Sequence, residues 1–246
     1  MSTSISRLFS AAVFLALPYV AFAADIDWGS VQDITGSSDV LTSGNLVGAF
    51  NVGDTGVSST EVNTVNFQGF AVPGGSGMSG NFSASGSFAF PDNTAFGSTN
   101  APFTGLDPAY QTLLMSGVGT IADFTLAISG LTVGAQYQFQ FFVNNSSDTN
   151  NFGTSATGGM NTSDRLGDNP SFVDGGLGQY MIGSFTADSS MQTIVFTPDE
   201  VGVLNAFQLR LSPVGVPDGG QTLSLLALAL GSLVLFRRQI SRLRVA

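Results

Sequence analysis

Three sets of side chains in this sequence have chemistry to offer. The first is Asn144-Asn145-Ser146-Ser147-Asp148-Thr149-Asn150-Asn151, an unbroken run of short oxygen-bearing residues after a strongly apolar stretch. Such oxygens ligate Ca²⁺, which takes about six to eight of them at ~2.3–2.6 Å. Asp148 is the best single metal ligand, with Asp164 or Asp168 of the next segment as its partners. The spacing is not that of an Asp-x-Asp-x-Asp-Gly loop with a later Glu, and Asn, Ser and Asp also build ordinary turns, so both readings stand. The second is Arg165, alone between Asp164 and Asp168. Its guanidinium can fork onto sugar hydroxyls or a carboxylate, or pair internally with Asp164, Asp168 or Asp174. The third is aromatic. Trp28, the only Trp, and Tyr180 offer faces on which a sugar can stack, but a Trp between Ile26 and Val31 also serves to pin an N-terminal strand to a core. Tyr137, alternating with Phe139, reads as core, and Arg210, alternating with Leu209 and Leu211, is expected on a solvent-facing strand surface.

What is missing narrows the chemistry further. The 246 residues include no Cys, His or Lys, which excludes disulfides, thiol nucleophiles, imidazole bases, Schiff-base lysines and the usual zinc sites. A glycoside-cleaving pair would need two acids about 5–10 Å apart, one with a raised pKa. Asp199-Glu200 is the one adjacent acidic pair, and after Pro198 it reads as a turn. Gly74-Gly75-Ser76-Gly77 lacks the Lys and the helix of a phosphate loop. The expectation is a protein that is not an enzyme and has no cofactor, or Ca²⁺ alone.

The ends of the chain read as addresses. Arg7, the apolar run Leu8 to Phe22 and Ala21-Phe22-Ala23 occur in the order of a secretory signal peptide, with cleavage expected after Ala23. At the other end stand Val216-Pro217-Asp218-Gly219-Gly220, the apolar stretch Leu223 to Phe236, and Arg237, Arg238, Arg242 and Arg244. Fourteen apolar residues span about 21 Å as a helix, short of a ~30 Å hydrocarbon core. The positive-inside rule keeps the Arg cluster cytoplasmic and everything before Val216 outside the inner membrane. An ordinary tail anchor with a Pro-containing linker is the plainer alternative.

This tail resembles the PEP-CTERM class of sorting signals in its Val-Pro-Asp variant, on Val216, Pro217, Asp218, Gly219, Gly220, the apolar stretch, and Arg237 and Arg238. The resemblance covers residues 216–246. It implies an exosortase-type membrane protease as partner, transient inner-membrane anchoring, and delivery to the cell surface or extracellular matrix. Gly219 stands where related tails also carry Ser, which leaves the particular processing enzyme open.

Residues 24–215 hold 16 acidic side chains against only Arg165 and Arg210, a formal charge of −14. Such a surface repels phosphate backbones, so nucleic acid is excluded as a partner. Two-residue alternation marks strands at 45–52, 62–70, 81–90, 123–129, 136–143, 179–187, 191–197 and 205–212, each expected to bury one face and wet the other. Asp107, Pro108, Tyr110, Leu113 and Leu114 predict one short helix stopped by Gly117. The Gly- and Ser-rich stretch 73–105 reads as an irregular sheet edge or a decorated loop. The fold class is therefore all-β, a jelly-roll β-sandwich with one short helix, flanked by an N-terminal signal helix and a C-terminal apolar helix. Its divisions are signal peptide 1–23, ectodomain 24–215 and sorting segment 216–246.

Trp28, Ile34-Thr35-Gly36, Leu46 to Asn51, Val62 to Phe67, Ile128 to Tyr137, Gly178-Gln179-Tyr180 and Leu204 to Leu209 resemble secreted domains that often carry such tails. Those domains are distantly similar to galactose-binding and malectin-like jelly rolls. The resemblance supports the fold more than any activity. Two functions follow as expectations: an exported structural or display protein, and alternatively a carbohydrate-binding module, Ca-assisted or not, using loops near Arg165 and Asp148 with an extracellular glycan as partner. A glycoside-active enzyme is a third, held open only by the abundance of Asp.

Overall fold

Large apolar side chains at every second position of 123–128 and 137–141 give a strand one favourable solution, which is to lay that face against a second sheet. The computed structural model describes residues 23–213, and they do this. In chain order the first strands are β1 (Asp27–Trp28), β2 (Gln32–Asp33), β3 (Asn45–Gly53), β4 (Thr60–Val62), β5 (Val65–Ala71), β6 (Ser76–Ser79), β7 (Phe82–Asp92) and β8 (Gly117–Ser129). After these come β9 (Gln136–Val143), β10 (Gly153–Gly158), β11 (Asn161–Thr162), β12 (Leu166–Gly167), β13 (Gln179–Thr186), β14 (Met191–Pro198), β15 (Gly202–Leu204) and β16 (Ala206–Leu211). The first sheet runs β1-β13-β9-β16-β3-β5-β4, with β2 also on β13. The second runs β11-β10-β14-β8-β7-β6, with β12 on β10 and β15 on β8. The result is a β-sandwich.

The Phe-rich inner faces meet in one core. Phe139 and Phe207 from the first sheet approach Phe196 and Phe82 from the second at ring-centroid distances of 6.5 and 6.0 Å. Phe rings suit this space because they carry much apolar area and need no hydrogen-bond partner. The signal segment 1–23, apart from Ala23, and the tail 216–246 with Val216, Pro217, Asp218, Gly219, Gly220, Arg237 and Arg238 lie outside the described residues. Among the described residues no helix is long and apolar enough to cross a membrane.

Several expectations need correction. The run 62–70 is not one strand: Asn63 and Thr64 both take positive φ, 49° and 64°, and Val62 turns directly back to pair with Val65. A two-residue loop with both φ values positive matches the twist of a hairpin. The stretch 73–105 takes the sheet-edge alternative in its first part, as β6 is the end strand of the second sheet and the expected strand at 81–90 runs on as β7 beside β8 to Asp92.

The larger correction concerns the outer face of the first sheet where β9 and β16 lie side by side, which is covered rather than wet, whereas β13 keeps the expected alternation. Helix α1 (Pro108–Met115) packs Tyr110, Leu113 and Leu114 against Phe142, Ala206 and Phe67 in a second apolar cluster. Its start is set as expected, with the Asp107 carboxylate accepting the Ala109 N–H at 2.9 Å and Pro108 in the first turn. Beside the helix, residues 39–44 strap across β9 and β16. Arg210 is therefore only 7% exposed, not solvent-facing. Its guanidinium donates to the carbonyls of Ser43, Thr42 and Gly44 at 2.8–2.9 Å and to Gln208 Oε1 at 3.1 Å. Gln208 in turn donates to Gln140 Oε1 at 2.6 Å, and Gln140 to the Asp39 carbonyl at 2.7 Å. These polar side chains are buried because each is hydrogen-bonded.

Strand direction places the loops. β9 begins at Gln136, whose carbonyl accepts the Ser212 N–H, so the chain leaves the sandwich at that end. The Ala24 carbonyl accepts from Gln192, one residue into β14, which puts the N-terminal entry at the same end. The connections 92–107, 144–152 and 168–178 all sit at the opposite end, where β9 and β7 finish and β8, β10 and β13 start. The sandwich thus has a terminal pole and a loop pole.

Candidate functional site

The loop pole is built on two asparagines. Asn144, just past β9, and Asn205, just before β16, are both completely buried. Asn205 Nδ2 donates to the carbonyls of Leu114 and Ser116, and Asn144 Nδ2 reaches those of Phe96 and Leu114. The otherwise orphaned carbonyls at the C-terminal end of α1 are satisfied in this way. Asn144 Oδ1 accepts the Gly178 N–H at 2.9 Å, which fixes the start of β13 to the same point.

Against this base lies an open cleft of about 400 Å³, with Thr94, Ser98, Gln111, Ser147 and Asp174 on its walls and Phe103 and Met115 at its apolar side. Asp174 is held from both sides: Ser98 Oγ donates to one carboxylate oxygen and Asn100 Nδ2 to the other, each at 2.6 Å. The Ser98 wall is set by Asp92, whose Oδ1 accepts the N–H groups of Thr94 and Ala95 at 2.7 and 2.8 Å. The hydrogen bond from the Thr94 amide leads the contributions that hold the Asp92 carboxyl below its usual pKa range, burial opposing them. Hydroxyls, an amide and an oriented carboxylate beside an apolar edge offer a set of hydrogen-bond donors and acceptors.

Arg165 lies elsewhere on this pole, and its partner is none of Asp164, Asp168 and Asp174. It pairs with Asp199 at 2.5 Å and donates to the Asn151 carbonyl at 2.6 Å. The side chain lies flat over Gly153, where an added Cβ would come within 2.1 Å of Nε. Burial pushes the Asp199 carboxyl up, but hydrogen bonds from Arg165, Gly153 and Glu200 outweigh it and leave the pKa below the usual value.

Trp28 is half-buried at the edge of the first sheet, with its ring edge-on to Phe141 at 5.8 Å and Nε1 donating to the Asn161 carbonyl. Tyr180 packs on Phe142 at 5.7 Å in the helix-side cluster. Both rings serve packing and neither lines the cleft. Tyr137 is core, as expected, and its hydroxyl accepts the Thr132 N–H.

The three candidate metal ligands stand in different environments. Asp164 is exposed. Asp148 is half-buried on the loop after β9, where its Oδ1 accepts from both the N–H and Nδ2 of Asn150, which is turn chemistry. Asp168 is fully buried, and neither of its carboxylate oxygens has a hydrogen-bond partner. Burial drives its pKa up from 3.8 to about 7. The nearby Phe152 amide lowers it somewhat, the Asp148 charge raises it, and the Arg165 charge lowers it. The Phe152 amide stands close without reaching hydrogen-bond geometry. Among the described residues no three acidic side chains gather at one point.

Sequence reasoning missed the cleft. Its walls come from the Gly- and Ser-rich stretch that reads as an irregular sheet edge or a decorated loop, from Gln111 and Met115 of α1, from Ser147 and from Asp174, and no periodicity links these segments. Compared with known proteins, the chain matches no family model and no curated protein sequence.

Proposed function

We propose that the chain is an exported protein, delivered to the cell surface or extracellular matrix through an exosortase-type sorting tail, whose β-sandwich is a displayed module. The observation that carries this reading is the polarity of the sandwich. Both chain ends leave at one pole, and the long loops and the cleft occupy the other. A domain tethered beyond Pro213 turns its loop pole away from the membrane. The route is supplied by the signal-type segment before Ala24 and by the ordered motif, apolar stretch and Arg237-Arg238 of the tail. Connections that cross between sheets at 130–135, 144–152 and 187–190 support the finer jelly-roll assignment. The test is replacement of Arg237 and Arg238 by Gln in a host with an exosortase. The variant is expected to stay uncleaved and membrane-associated, and normal processing and release would remove the sorting half of the reading.

The cleft favours a second reading, a carbohydrate-binding module of the displayed domain. Asp174, oriented by Ser98 and Asn100, would accept two sugar hydroxyls, with Gln111 and Thr94 as further partners. A glycan array screened with residues 24–215 checks it. Selective binding that disappears in Asp174→Ala supports a lectin-like role, and silence from a folded sample leaves display alone.

A further inference from the structure

The Asn145–Phe152 loop wraps around Asp168 and Asn169. Asn145 N–H donates to the Asp168 carbonyl, and Asp168 N–H to the Phe152 carbonyl, both at 2.9 Å. Asn169 Nδ2 donates to the Asp148 carbonyl at 2.5 Å. Both ends and the middle of the loop are therefore tied to one dipeptide. At the centre is the only buried carboxylate among the described residues, with both oxygens unpartnered.

A buried carboxylate without donors is costly, and native structures resolve it with a proton, a water or a cation. The surroundings favour the cation. Two charged groups act on the carboxylate, Asp148 against its ionisation and Arg165 in favour of it. Arg165 is already committed to Asp199 and the Asn151 carbonyl, and Asp148 adds a second negative charge. Every other side chain from Asn145 to Asn151 ends in a hydroxyl or an amide oxygen, with no sulfur or imidazole among them. That donor set selects a hard ion, and an irregular loop of many oxygens suits Ca²⁺, which tolerates variable geometry, better than Mg²⁺, which demands a near-ideal octahedron.

We propose that Asp168 and Asp148 bind one Ca²⁺ ion, with oxygens of the Asn145–Asn151 loop completing its shell. Asp164 takes no part. Two carboxylates give a weak, extracellular type of site, with Kd on the order of 0.1–1 mM. Ser147, in the middle of the same loop, lines the cleft, so the ion also stiffens one cleft wall. The site does not depend on the sorting or the glycan reading and stands whether or not a sugar binds.

The experiment is equilibrium dialysis with ⁴⁵Ca²⁺ on the purified full chain at pH 8, alongside thermal unfolding in chelator and in 10 mM Ca²⁺. One saturable ion per chain is expected, with a rise of roughly 3–10 °C in the unfolding midpoint. Asp168→Asn should abolish binding, Asp148→Asn weaken it at least tenfold, and Asp164→Asn leave it unchanged. Asp168→Asn removes the buried charge, so its midpoint in chelator should match or exceed that of the parent chain, which separates lost binding from lost folding. No saturable binding at 10 mM, or binding that survives Asp168→Asn, overturns the proposal.

Discussion

The side-chain carbonyl of Asn205 accepts the backbone N–H of Asn144 at 2.6 Å, and the Asn205 amide returns a hydrogen bond to the Asn144 carbonyl at 3.1 Å. Two residues 61 positions apart are thus joined reciprocally, and through them β9, β16, α1 and the start of β13 share one buried anchor. Asn205→Ala would leave the carbonyls of Leu114, Ser116 and Asn144 short of a donor. Because burial makes unpaired groups costly, a loss of about 2–4 kcal/mol is expected. Urea unfolding monitored by circular dichroism measures it, and a change under about 0.5 kcal/mol would mean that water replaces the amide at no cost.

Asp168 gives the chain an unusual pH profile. Its folded pKa, about 7, lies above the ordinary 3.8, so the folded state holds its proton over a range in which the unfolded chain has lost it. In chelator, this group's contribution makes stability fall as pH rises from about 4 to about 7 and then level off. The whole window corresponds to at most about 4 kcal/mol, at ~1.4 kcal/mol per pH unit. The charged groups acting on it are Asp148 and Arg165. Asp168→Asn should flatten this decline, and an unchanged slope in that variant would assign it to other acids.

The two arginines of the sandwich should differ in their worth to stability, with Arg210 the costly one despite its alternating strand context. Arg165 and Asp199 are 42% and 41% exposed at their side chains, so Arg165→Ala should cost only about 0.2–1 kcal/mol. Arg210→Ala strips donors from three strap carbonyls and from Gln208, and about 2–3 kcal/mol is expected. Parallel denaturation of the two variants decides, and equal losses would contradict the burial of Arg210.

Gly183 lets the N-terminal strand lie flat on β13. A Cβ there would come within 2.5 Å of Ile26 Cγ2 and 2.6 Å of the Trp28 ring. Gly183→Ala should therefore lift β1 and expose the single Trp, with a red shift of its emission and a destabilisation of about 1–3 kcal/mol. Emission unchanged from the parent protein would mean that the edge strand yields without losing its seat.

Much of the strand framework was legible because alternation is a local property. The register of β9 and β14 follows from Tyr137, Phe139 and Phe141 and from Ile194 and Phe196, and the helix follows from Asp107 and Pro108. Buried Arg210 was not legible, since its alternation with Leu209 and Leu211 says only that it faces away from them. Whether that side is wet depends on the strap 39–44, some 170 residues earlier in the chain. The same holds for the loop after β9. Its composition announced oxygen chemistry, but only the fold shows that Asp168 is drawn inside it and Asp164 left outside.

By itself the sequence determined the β class, the capped helix α1, the acidic composition and the absence of thiol, imidazole and lysine-amine chemistry, because composition and short-range periodicity act over a few residues. The tertiary structure alone decided which polar side chains lost their water and what replaced it. Desolvation depends on what covers a residue, and in this protein the covers come from distant segments: the strap over Arg210, α1 over Phe142, and the Asn145–Phe152 loop over Asp168.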